Sequence, residues 1–331
     1  MGNNNSNEQL NPENFNAKTT AAQASDAFAD QFRNKVVVIT GSNTGLGLET
    51  ARVIASKGGI VVIACRTPSK GESAVASILK EFPEANVTFL PLDLASLASV
   101  RAFVPKFEAK FDRLNILINN AGVMACPKTM TSDGLESQFG VNHIGHFYLT
   151  KLLLPVLLKS ASASNPSRVV NLSSMAQYLY APNEGIIFDD LNAEKSYKTW
   201  ERYGQGKLAN VLFTKELHRR FADKHIISAA LHPGVITSTE LTRHMGLASS
   251  FQGFTQMRWG TMFTAMGDGM KGIPEGAATT VTVAGNPNVV PGAYYVNCQV
   301  SDKLHPTATD SELAQKLWDV SEKIVDDIVS K

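Results

Sequence analysis

Along this chain, short runs that are almost continuously apolar alternate with longer stretches in which apolar residues recur every three or four positions. KVVVIT (35–40), IVVIAC (60–65), VTFLPLD (87–93), LNILIN (114–119), RVVNLS (168–173) and IISAAL (226–231) read as strands, and AYYV (293–296) as a seventh. A strand apolar at every position is covered on both faces, the condition of a parallel sheet between two layers of helices. The intervening spacing predicts helices over 46–57, 69–82, 96–110, 135–159 and 201–223, with Pro155 a point where the fourth would bend. The stretch SELAQKLWDVSEKIVDDIVSK predicts a packed closing helix.

This alternation is that of an α/β protein: a single-domain, Rossmann-type, doubly wound parallel sheet of about seven strands. Residues 1–30 differ from the rest, opening on MGNNNSNEQLNPENFNAKTT, which is rich in Asn and poor in branched apolar side chains. They are expected to form a disordered polar tail, with a weak helix through Ala27, Phe28 and Phe32. The domain is expected over 31–331, since neither a repeat nor a Pro/Gly/Ser-rich linker divides it. After the sixth strand, methionines and aromatic residues crowd residues 240–272 among Gly, Ser and Thr. That segment reads equally as core and as an apolar substrate lid.

The chain is 44% hydrophobic and 18% charged, with a formal net charge of +1. A near-neutral balance without a basic stripe argues against a nucleic-acid partner. No apolar run approaches the ~18 residues of a transmembrane segment. Cys65, Cys126 and Cys298 form no CxxC pair, so neither a zinc site nor a disulfide framework is expected, and a cytoplasmic location fits. MGNNNS matches the N-myristoylation pattern at Gly2, but one lysine in the tail gives no polybasic second signal, so an unmodified terminus is expected. His143 and His146 stand three apart without a carboxylate or cysteine set, and read as core or capping residues rather than metal ligands.

Ligands of such sheets bind at the carboxyl ends of the strands. After the first strand, Gly41, Ser42, Asn43, Thr44, Gly45, Leu46 and Gly47 run into a helix. The glycines permit a tight turn and close backbone approach, and the helix N-terminus favours a pyrophosphate. After the second strand stands Arg66, where an NAD-preferring site offers a carboxylate. Arg66 reads either as a surface residue or as a fork for a 2′-phosphate; with the acid missing, NADP(H) is the expected cofactor. Asp93 follows the third strand as a candidate acceptor for an adenine amino group, and Asn120, Ala121 and Gly122 supply small residues after the fourth.

Ser173 and Ser174 follow the fifth strand, and YGQGK (203–207) sets Tyr203 and Lys207 one turn apart on a helix. Hydride transfer to a carbonyl needs a proton donor, and its reverse needs a base. A neighbouring ammonium and a cationic nicotinamide ring are together expected to lower the phenol below its ordinary value of ~10. TGSNTGLG, Asp93-Leu94, NNAG, the serine pair, YGQGK and PGVIT (233–237) occur in an order that resembles the short-chain dehydrogenase/reductase family over roughly residues 34–300. ACR (64–66), GVNHIGHFYLT (140–150) and IIFDDLN (186–192) resemble its retinol-dehydrogenase and WW-domain-oxidoreductase branch, though a polar tail stands where many retinol dehydrogenases carry an apolar anchor.

The resemblance implies Tyr203 as general acid/base and Lys207 as its modulator and ribose ligand. It implies Ser174 as the residue holding the substrate oxygen, with Ser173 the alternative, and Asn142 as the site of a helix kink serving Lys207. It implies Pro233, Gly234 and Thr237 as contacts to the nicotinamide. The expected function is an NADP(H)-dependent oxidoreductase interconverting a medium-to-large apolar alcohol and its aldehyde or ketone, of the retinoid, steroid or lipid-aldehyde kind. The alternative is an NADP(H)-binding, redox-sensing regulatory protein. Family members often pair through the helices at 135–159 and 201–223, so a homodimer is a further expectation.

Overall fold

The computed structural model describes residues 11–236 and 270–330. Its main sheet has eight strands: β1 (Val36–Thr40), β2 (Ile60–Cys65), β3 (Val87–Pro91), β4 (Ile116–Asn119), β5 (Ser167–Leu172), β6 (Ile226–His232), β9 (Tyr294–Val296) and β10 (Gln299–Val300). Their spatial order is β10-β9-β6-β5-β4-β1-β2-β3, and all pairings are parallel except the hairpin β9–β10. The seven expected strands are thus present, and the edge strand β10 is the addition. A separate two-stranded ribbon joins β7 (Val235–Ile236) to β8 (Met270–Lys271).

The eight longer helices are α1 (Ala21–Ala27), α2 (Gly45–Ser56), α3 (Pro68–Glu81), α4 (Leu97–Glu108), α5 (Gly145–Ser160), α6 (Thr199–Phe221), α7 (Ile273–Gly285) and α8 (Ser311–Val329). They divide between the two faces of the sheet. Val36 and Val38 point into the core shared with α4, α5, α6 and α8, while Val37 and Ile39 point into the core shared with α1, α2, α3 and α7. The period of two along a strand is why both parities must be apolar. The strand order reverses between β1 and β4, opening the crevice in which such sheets hold their ligands.

The expectation of a disordered tail through residue 30 does not describe residues 11–30. Thr20 and Gln23 form a capping box for α1, and Phe15, Phe28 and Phe32 are buried in the core beside α7. Gln299 donates its side-chain N–H to the carbonyls of Pro12, Glu13 and Phe15. Composition misled here because three well-spaced phenylalanines supply the burial that the Asn-rich stretch lacks. Gly2 lies outside the described residues, as does residues 240–272 apart from Met270, Lys271 and Gly272.

Helix α6 is buried along nearly every position from Trp200 to Leu217, covered in part by α8. Trp318 of α8 packs against Phe147 and Phe213. Helix α6 is thus largely enclosed within its own chain. No helix among the described residues is long and apolar enough to cross a membrane.

Candidate active site

A cavity of about 560 Å³ runs along the carboxyl ends of the strands, from the glycine turn after β1 to Tyr203 and Lys207 on α6. At its first end the turn is built for close approach. Gly41 and Gly45 have φ of +64° and +57°, and a Cβ on Gly41 would stand 2.9 Å from Ala121. A Cβ on Gly47 would stand 2.6 Å from both the Asn120 amide nitrogen and the Gly41 carbonyl. Thr44 makes no side-chain bond to the first N–H groups of α2, which leaves the helix N-terminus facing the cavity for an anion. Ser42 is different from its neighbours: its hydroxyl donates to Ile39 O at 2.6 Å and accepts from Ala64 N at 3.3 Å, bracing β1 to β2 away from the cavity.

Thr40, which the motif reading passed over, joins the ends of β1 and β4. Its Oγ1 accepts from the N–H groups of Asn120 and Ala121, each at 2.9 Å. Its own proton goes to His146 Nε2 at 2.8 Å, since His146 Nδ1 faces the Asn142 carbonyl at 3.1 Å and so carries the ring proton. Burial lowers His146 to about 4, consistent with that neutral ring. Arg66 is exposed and borders the cavity, and Lys70 borders it from α3. Only the position of Arg66 is visible from the strand end; Lys70 needs the helix to turn it inward. Asp93 lines the cavity with Leu94, and its Oδ1 accepts from Ala95 N at 3.0 Å.

At the other end, Tyr203 and Lys207 are both buried, and the Lys207 ammonium lies 5.7 Å from the phenol ring centre. Burial pushes the Tyr203 phenol up to about 12, although a hydrogen bond with Ser174 works in the opposite direction. Burial lowers Lys207 to about 8. In the chain alone, loss of water from the phenolate is therefore the dominant influence, opposite in direction to the lowering expected of the ammonium and the nicotinamide ring together. Lys207 Nζ donates to Leu172 O at 3.1 Å.

The two serines separate by environment. Ser173 is buried and donates to Lys207 O at 2.7 Å, tying β5 to α6. Ser174 is half-buried, lines the cavity and meets Tyr203. Asn142 lies within a π-helical turn, Gly140–Ile144, and outside the cavity lining. Its carboxamide pairs both ways with Val123, N to Oδ1 and Nδ2 to O, each at 2.9 Å. A Cβ on Gly122 would meet Asn142 Oδ1 at 2.9 Å and Lys207 Nζ at 3.5 Å, so that backbone passes directly over the pair. Pro233 and Gly234 line the cavity, and Thr237 lies outside the described residues.

Beside Tyr203 the walls are apolar: Met124, Met175, Leu179, Tyr180 and Trp200. Trp200 stands edge-on to Tyr203 at 6.1 Å and tilted against Tyr180 at 5.0 Å. These walls were also missed, because they come from a short turn and a helix start whose meeting no local pattern announces. Among the described residues no cluster of ligating side chains suits a metal.

The short chain dehydrogenase family model matches residues 35–186. Short-chain dehydrogenase TIC 32 B, chloroplastic, of Brassica napus is 43% identical over 302 residues, covering 89% of this chain and 90% of that protein. The chain belongs to the short-chain dehydrogenase/reductase family. Retinol dehydrogenase 12 of Homo sapiens is 44% identical over 293 residues, covering 88% of this chain and 86% of its own. The crystal structure of an uncharacterized protein from Mycobacterium paratuberculosis matches with a TM-score of 0.68 at 34% identity, over 90% of this chain and 97% of that one. A short-chain dehydrogenase/reductase of this retinol-dehydrogenase-like kind is an oxidoreductase acting on CH–OH groups with a nicotinamide cofactor. The glycine cradle and open helix N-terminus fit a dinucleotide: a Cβ at Gly41 or Gly47 would occupy backbone that the turn already fills.

Proposed function

We propose that the protein is an NADP(H)-dependent oxidoreductase that interconverts an apolar alcohol and its aldehyde or ketone. The observation that carries this reading is the convergence of Ser174, Tyr203 and Lys207 at the apolar end of a cavity whose other end is the glycine turn and Arg66. A nicotinamide cofactor held there would supply or take up the hydride. Gly41, Gly45 and Gly47 would admit the pyrophosphate, Arg66 and Lys70 would pair with a 2′-phosphate, and Pro233 and Gly234 would border the ring.

The chain's own chemistry is proton transfer and positioning. With its phenol raised to about 12, Tyr203 holds its proton at neutral pH and is set to donate it to the oxygen of a carbonyl as negative charge develops there. The Ser174 hydroxyl, already in contact with Tyr203, would hold that oxygen. Lys207 is an ammonium below about pH 8 and would favour the phenolate that donation leaves behind. Among the described residues, Lys207 is the one charged side chain at this end of the cavity, and the walls of Met124, Leu179, Tyr180 and Trp200 suit a substrate without a charged head.

Following NADPH absorbance with a panel of apolar aldehydes, ketones and quinones tests the reading. Turnover is expected with at least one class. NADPH binding without turnover across the panel would overturn it in favour of a redox-sensing role.

A further inference from the structure

The residue before Tyr203 in sequence is Arg202, one of the largest fully buried side chains in the protein. Its guanidinium is tied to the loop that precedes α6: Nη1 donates to Asp190 O at 2.6 Å, and Nη2 to Asp190 Oδ2 at 2.5 Å and Ser196 O at 2.7 Å. Both side chains of the ion pair are almost wholly buried. The remaining capacity of the Asp190 carboxylate is used on the loop itself, accepting from the N–H groups of Glu194, Lys195 and Ser196. Asp190 belongs to the IIFDDLN stretch, which has no part in the proton chemistry or the cofactor cradle.

The pair matters because of what α6 lacks. Its cap residue, Lys198, offers no side-chain acceptor to the first N–H groups, and its ammonium donates instead to Glu201 Oε2 at 3.3 Å. The first N–H groups of a helix have no partner along the helix, so a start without a capping acceptor relies on other contacts to hold it. That first turn carries Trp200, the indole that stands against both Tyr180 and Tyr203. Tyr180 is held independently, because Gly204 lets the 176–181 backbone approach α6 to within contact distance. One side of the aromatic wall is therefore fixed by close backbone packing. The other is held by the Arg202–Asp190 pair, together with Gln138 Nε2 donating to Thr199 O at 2.9 Å.

We propose that Asp190 and Arg202 are positioning residues for substrate: their buried pair holds the first turn of α6, and so Trp200, at the separation from Tyr180 that a long apolar substrate requires. This deepens the oxidoreductase reading and rests on it. A reactant misplaced by about 1 Å can lose on the order of a hundredfold in rate, and a long substrate that touches the wall is exposed to that loss, whereas a short one that reaches only Ser174 and Tyr203 is not.

The test compares decanal with propanal, using NADPH, in wild type, Asp190→Asn and Arg202→Lys. Asp190→Asn keeps the shape and removes the charge, and Arg202→Lys keeps the charge and removes the fork. Both variants are expected to lose about tenfold or more in kcat/KM for decanal, chiefly through KM, with less than about threefold for propanal and unchanged NADPH affinity. Should Asp190→Asn fail to fold, Arg202→Lys decides by the same ratio. A lowered melting temperature with the wild-type decanal-to-propanal ratio, or an equal loss on both aldehydes, would mean the pair is structural and overturns the proposal. Wild type that binds NADPH but reduces neither aldehyde would instead overturn the oxidoreductase reading for this substrate class, and the inference with it.

Discussion

The two ends of the cavity are made in different ways. The dinucleotide end is backbone: a turn of glycines, a helix N-terminus, and the ends of β1 and β4 stitched through Thr40 and Asn120. Its cationic side chains, Arg66 and Lys70, are exposed and stand at the margin. The proposed catalytic end is side chain: a phenol, an ammonium and an indole carried on one buried helix, with the Ser174 hydroxyl just after β5. Backbone sites tolerate water, because their donors are fixed by the fold. The catalytic end depends on excluding water, and burial there moves the phenol and the ammonium in opposite directions, to about 12 and about 8. Substitutions at the first end should therefore act on cofactor choice, and at the second on rate and proton balance.

The largest expected effect belongs to Tyr203→Phe. Removing the hydroxyl should lower turnover by ~10²–10⁴-fold while leaving NADPH affinity, measured by fluorescence titration, within about twofold of wild type. A variant retaining most of its activity would break the division between the ends. Ser174→Ala should cost roughly a hundredfold in kcat, as loss of one hydrogen-bond donor to a developing oxyanion does. Ser173→Ala should leave the rate nearly intact; the reverse order would exchange the roles of the two serines.

Arg66→Ala sharpens the comparison from the cofactor side. A charge-assisted contact contributes about 1.5–3 kcal/mol, so preference for NADPH over NADH should fall by one to two orders of magnitude, with kcat on saturating cofactor unchanged. Equal use of both cofactors by wild type would make Arg66 a surface residue.

A smaller effect concerns stability against pH. Lys207 in the folded chain titrates at about 8, below its ordinary 10.5. Between those values the unfolded chain holds a proton that the folded chain has released, so stability rises with pH across that window. Lys207→Met should remove the rise, seen by comparing denaturant midpoints of variant and wild type at pH 7.5 and 9.5. Tyr203 acts oppositely between 10 and about 12, where the folded chain retains the proton. The smallest effect is that of Ser173→Ala on stability, about 1 kcal/mol for the lost bond to Lys207 O.

These differences follow how far each feature was legible in the chain. The strands could be read because β1, β2, β4, β5 and β6 are short runs rich in apolar residues, and the glycine turn because its residues are contiguous. Lys70, Tyr180 and Trp200 were not legible, since each reaches the cavity only through packing between elements distant in sequence. The upward shift of Tyr203 in the chain alone was not legible for a related reason: the spacing to Lys207 is local, but burial is a property of the whole core. Residues 11–30 show the same limit, their composition suggesting a tail while Phe15, Phe28 and Phe32 anchor them.

That anchoring bears on the order in which the fold closes. The Gln299 contact to Pro12 joins groups 287 positions apart, and the principal neighbour of α1 is α7, which lies far along the chain from it. Contacts so distant in sequence close late and slowly. Residues 11–30 are therefore expected to dock after the central strands have paired, and a chain truncated before Ile273 would keep the glycine turn while leaving α1 without its principal neighbour.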